Sequence, residues 1–92
     1  MSILASKVAL VKGQEIQVTE ENLIVALEDG RTIWVPIAWY PRLWNGTMEE
    51  RQNWRFIGEG TGIHWPDLDE DISVEDLLLG IRSGESQKSL HG

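Results

Sequence analysis

The chain has 92 residues, with 8 Lys and Arg against 15 Asp and Glu, a formal net charge of -7, 41% hydrophobic residues, 5 Trp and no Cys. That composition fits one small globular domain, too apolar to stay disordered and too short for a second core. Without Cys there is no disulfide, thiolate metal site or nucleophilic thiol, and two histidines leave little for a site built on imidazole.

Residues 8–11 form a short apolar run that suits either a strand or a short helix, and Gly13 breaks either. Glu15, Ile16, Gln17, Val18 and Thr19 alternate polar and apolar, which predicts an antiparallel strand; Glu20, Glu21 and Asn22 supply the turn after it. Two β-rich runs then flank Asp29 and Gly30, the signature of a hairpin. Loop length decides which side chains share a face. A two-residue loop splits the best apolar set, whereas a three-residue loop of Glu28, Asp29 and Gly30, with Gly30 left-handed as a G1 bulge, unites Leu23, Val25, Leu27, Ile33, Val35 and Ile37. The second register is preferred. It leaves Ile24, Ala26, Thr32 and Trp34 on the opposite face, too apolar for open solvent, so a partial cover or a homodimer interface is expected there.

After Ile37, Pro41 fits only the first turn of a helix and Asn45-Gly46 stops it, so about one helical turn is predicted. Thr47 and Glu50 form a T-x-x-E capping box that opens a helix over residues 48–54. Phe56-Ile57 and Ile63 to Trp65 are β-like runs around a glycine-rich loop, read as a second hairpin or a loose connection. Residues 67–71 read as an acidic turn, and Ser73 with Asp76 caps a helix from Val74 that ends near Gly80. The expected fold is α+β: a small antiparallel sheet of about three strands plus a short hairpin, packed with two to three short helices. Residues 1–82 form the single domain and residues 83–92 a disordered tail.

Asp67, Asp69 and Asp71 imitate the first half of a calcium loop, but Ile72 and Leu78 stand where the loop needs Gly and Glu. The expectation is therefore no metal and no cofactor, with these carboxylates at the N-terminus of the last helix and pairing with Arg42, Arg51 or Arg55. His64 lies close to those acids and supplies the alternative site with Asp67, Asp69 and Asp71, for acid-base or metal-dependent chemistry. Its bland counterpart is a hydrogen-bonded structural histidine. Trp39, Tyr40, Arg42 and Trp44 make the best candidate for a partner-binding patch, since Trp, Tyr and Arg dominate interface energetics. The same aromatics serve equally as core.

The strings "DGR", "WYPRL" and "GIHWPDLDEDISV" together resemble a bacterial family, domain-of-unknown-function family 2442, over about residues 15–82. The resemblance implies an α+β domain with an antiparallel sheet, from bacteria, in genes often beside another small uncharacterised protein, an arrangement similar to toxin-antitoxin pairs. Some relatives carry a helix-turn-helix domain after this one, for which residues 83–92 leave no room, and the family offers no catalytic residues to carry over.

The resulting expectation is a non-enzymatic, antitoxin-like interaction module binding a small, basic partner protein, as a monomer or homodimer. The negative charge opposes nucleic acid. No apolar run approaches the roughly 20 residues of a membrane span and no signal-peptide pattern is seen, so no membrane contact and a cytoplasmic location are expected.

Overall fold

A computed structural model of the chain describes residues 11–82. Two three-stranded antiparallel meanders share one core, an α+β fold. The first sheet is β1 (Gly13–Val18), β2 (Asn22–Leu27) and β3 (Thr32–Pro36), in that order. A 3-10 turn (Ile37–Trp39) leads into two short helices, α1 (Pro41–Trp44) and α2 (Met48–Gln52). The second sheet is β4 (Arg55–Ile57), β5 (Gly62–Trp65) and β6 (Glu70–Ser73), and α3 (Val74–Leu79) follows it directly.

The hairpin takes the three-residue loop. Leu23 faces Val35 and Val25 faces Ile33, Leu27 N–H donates to the Arg31 carbonyl at 2.8 Å, and Gly30 has a φ of 99°. That conformation favours glycine because a side chain would meet the backbone. The Asp29 carboxylate accepts from the Arg31 amide at 3.0 Å and from its Nε at 2.8 Å, holding the loop closed. In this register Leu23, Val25, Leu27 and Val35 are buried on one face of the sheet, with Ile16 and Val18 of β1 beside them. Ile63, Trp65 and Ile72 of the second sheet meet them, and Ile37, Tyr40, Leu43, Val74 and Leu77 fill the space between.

Caps fix the helix ends. Pro41 stands at the first position of α1, where its missing N–H costs nothing. The Thr47–Glu50 capping box is complete, with the Glu50 amide to Thr47 Oγ1 at 3.1 Å and the Thr47 amide to Glu50 Oε1 at 2.9 Å. Ser73 Oγ accepts from the Asp76 amide, and Gly80 closes α3 in the left-handed region. Phe56 joins the two sheets by packing on Gly13, where an added Cβ would stand 2.7 Å from the ring.

Four expectations are corrected. The second hairpin has a third strand, β6, because Glu70 and Ile72 face inward while Asp71 faces out. An acid at a core position hid the period of two, so the segment looked like turn. In consequence Asp67, Asp69 and Asp71 are not at the N-terminus of α3, whose first turn holds Glu75 and Asp76. The capped helix α2 stops at Gln52, since Asn53 leaves helical geometry at φ -94° and ψ 83° and sends Trp54 towards β4. Strand β1 begins earlier, at Gly13, with a bulge before Glu15. The apolar run at residues 8–11 falls almost wholly outside the described residues, as does the expected tail at 83–92.

The joint of the molecule is Arg51, only 7% exposed. Its guanidinium donates from Nε to the Leu43 carbonyl at 2.8 Å, from Nη2 to Trp44 at 3.0 Å, and from Nη1 to Thr19 and Glu20 at 3.2 and 3.1 Å. One cation thereby ties the carbonyls at the end of α1, where Leu43 also accepts from the Gly46 amide at 3.1 Å, to those of the β1–β2 turn. Its own carbonyl accepts from Trp65 Nε1 at 2.9 Å, tying in the second sheet. Arg51→Met keeps the bulk and removes four charge-assisted bonds that join separate parts of the fold, so a loss of about 3 kcal/mol is expected in urea denaturation. Arg51→Lys should recover only part of it, because an ammonium cannot span four separated acceptors.

Candidate functional site

The outer face of the first sheet is uncovered among the described residues. Pairing sets Gln17, Ile24 and Trp34 in one row and Glu15, Ala26 and Thr32 in the next, and these side chains border a shallow depression of about 400 Å³. Trp34 is 64% exposed, while Ile24 and Ala26 are half-buried between neighbouring strands. An indole left this open beside aliphatic neighbours is the kind of anchor that protein interfaces use. Trp34 was placed on this face by the alternation of β3, yet it was not among the sequence-predicted site residues. The signal was the period of two, which distinguishes it from the buried Val35.

The four residues expected to form a partner-binding patch do not share one surface. Tyr40 is 2% exposed and belongs to the core. A turn of only four residues cannot keep all its aromatics outside when Leu43 and Tyr40 must anchor it, and burial of both directs Trp44 to solvent. Trp39 lies half-buried under the Arg82 guanidinium, whose carbon is 4.5 Å from the ring centroid, a cation-π contact. Arg42 turns to the Asp69 loop, with Nη1 donating to the Asp69 carbonyl and lying 3.6 Å from its carboxylate.

The acidic turn is likewise divided. Asp67 accepts from Asn53 Nδ2 at 3.0 Å, Asp69 meets Arg42, and Asp71 contacts His64 Nδ1 at 2.5 Å. Among the described residues no three His, Asp or Glu side chains come together to hold a metal ion. Of the expected pairings, Arg42 is found, whereas Arg51 spends its donors on carbonyls. His64 stands directly between Arg55 and Asp71 in the β4–β5–β6 register, on the outer side of the second sheet. The carboxylate orients the imidazole, which is what an acid-base histidine and a structural cross-strand pair both require.

The family model described as protein of unknown function (DUF2442) matches residues 14–83. The chain belongs to this family. A DUF2442-like fold recurs in a protein of unknown function from Rhodospirillum rubrum, 27% identical, with a TM-score of 0.71 over 79% of this chain and 90% of that one. An uncharacterised protein from Chromobacterium violaceum, 20% identical, shares the fold with a TM-score of 0.74 over 98% of this chain and 83% of its own. Comparison with curated proteins gives no match. Among the described residues no helix is long and apolar enough to cross a membrane.

Burial of Tyr40 has a measurable electrostatic cost. Desolvation first, then the negative charges of Asp76 and Glu70, push its phenol from 10.0 up to about 12, and its hydroxyl donates to the Ile81 carbonyl at 3.3 Å. The folded-state value is raised, so the neutral phenol's contribution to stability is intact below pH 10 and drains away as pH climbs towards 12. Tyr40 is the only tyrosine, so tyrosinate absorbance reports it alone. Its titration should coincide with alkaline unfolding, and Tyr40→Phe should flatten the loss of stability across that interval; ionisation at the ordinary value with no loss of fold would contradict the burial argument.

Proposed function

We propose that this DUF2442 protein is a non-enzymatic interaction module whose docking surface is the outer face of β1, β2 and β3, with Trp34 as its anchor. The observation that carries the reading is the exposure of Trp34 beside Ile24 and Ala26 on a face that no described element covers. A formal charge of -7, with Glu15 on the same face, suits a small basic protein as the occupant, since complementary charge speeds encounter and disfavours acidic competitors. The resemblance-based role, the acidic antitoxin-like member of a two-gene pair in the bacterial cytoplasm, is compatible with that chemistry. Acid-base catalysis rests on the His64–Asp71 contact alone, because the other two carboxylates of the turn are engaged elsewhere.

The reading is tested by affinity purification from the native host with tagged wild-type protein and Trp34→Glu, followed by mass spectrometry. A small basic protein recovered at near-stoichiometric yield with the wild type, and at least tenfold depleted with the variant, is the expected result. Recovery that is indifferent to Trp34 would contradict it. Trp34→Glu should leave folding intact, because the indole is mostly in water.

A further inference from the structure

The outer edge of β3 is an open hydrogen-bonding template. Leu27 donates to Arg31 and Ile37 donates to Glu21, so the pairs that exchange bonds with β2 fall at every second residue: Val25 with Ile33 and Leu23 with Val35. The main-chain groups of Thr32 and Trp34 therefore point away from β2. They make no other main-chain bond among the described residues, and both residues are exposed. The opposite edge of the sheet is managed differently. There β1 carries a bulge before Glu15, and Gln52 Nε2 donates to the Val18 carbonyl at 2.7 Å. On β3 the comparable device among the described residues is Pro36 at the end of the strand.

We propose that β3 pairs antiparallel with β3 of a second copy of this chain, about a two-fold axis through Ile33. In that register Thr32 faces Trp34 of the other copy and Trp34 faces its Thr32, which gives two pairs of reciprocal N–H to carbonyl bonds without calling on proline. Sliding the register by two residues one way sets Pro36 against Thr32 and loses donors, and sliding it the other way sets Trp34 against Gly30, whose amide already donates to the Leu27 carbonyl at 3.1 Å, so the two ends of the strand select this pairing. Charge permits it. The edge itself is locally balanced, because Arg31 Nη2 is held 2.7 Å from the Asp29 carboxylate, and Glu15 lies two strands away on β1. Directly opposed residues share a face, so the two outer faces fuse into a six-stranded surface on which Ile24 and Trp34 of one copy adjoin Thr32 and Ala26 of the other. The dimer thus doubles the apolar face, independently of what else that face binds. A five-residue edge buries less than the roughly 800 Å² per partner of a standard interface, which sets the expected dissociation constant in the micromolar to millimolar range.

Sedimentation equilibrium on the purified full chain, from about 10 μM to about 1 mM, covers that range. The mass should rise from the monomer's 10.4 kDa towards twice that value. Thr32→Pro removes the outward-facing amide without costing a bond to β2, and Trp34→Lys places a charge beside the edge while leaving the backbone unchanged; each should weaken association at least tenfold while circular dichroism stays that of the wild type. A wild-type mass fixed at 10.4 kDa throughout, or folded variants that associate as tightly as the wild type, would overturn the proposal. No other protein is present in the centrifuge cell, so this outcome is separate from the partner-capture result.

Discussion

Everything in this fold leans on where one guanidinium sits. A domain of this size has little core to spare, and short helices and turns leave a large share of carbonyls without regular partners. Arg51 collects four of them from two places far apart in sequence, the end of α1 and the β1–β2 turn. An Arg suits this task because its planar fork keeps its charge at any ordinary pH and offers five donors in fixed directions. The helix that carries it is only five residues long, too short to stand alone, and is held in place by its capping box and by these bonds.

The same joint positions the surfaces that matter for function. Trp65 donates to the Arg51 carbonyl and is completely buried, so the second sheet is pinned under the first and its outer face presents His64 beside Asp71. The first sheet commits its inner face to the core and leaves the other face to Trp34 and its neighbours. One core covers one face of each sheet, and the apolar face that no described residue covers is where binding energy is available.

Much of this architecture was legible. The hairpin register followed from requiring one apolar face, and Gly30 with Asp29 supplied the loop chemistry. Helix starts were legible because capping uses specific side chains at specific offsets, as at Thr47 and Ser73. What failed has a common cause: polar residues whose roles depend on distant partners. Glu70 on an inward position disguised β6, and Arg51 looked like a partner for carboxylates when its acceptors were carbonyls. In the site, a run of aromatics in sequence suggested one patch, yet a single helical turn sends Tyr40 inward and Trp44 outward. The isolated, strand-borne Trp34 is more exposed still, at 64% against 50% for Trp44, and alternation along β3 was enough to place it on the outer face.

If Arg51 is the joint between α2, the β1–β2 turn and the second sheet, none of these parts can open alone. Native-state hydrogen exchange of the Trp65 indole N–H, followed by NMR alongside the main-chain amides of β2, tests this most directly. The indole and the inward amides of β2 should exchange with the same opening free energy, that of global unfolding, and should respond alike to low concentrations of denaturant. An indole that exchanges through a low-energy, denaturant-independent opening while β2 stays protected would show that the Arg51 joint breaks locally, and the fold would have to depend on something else.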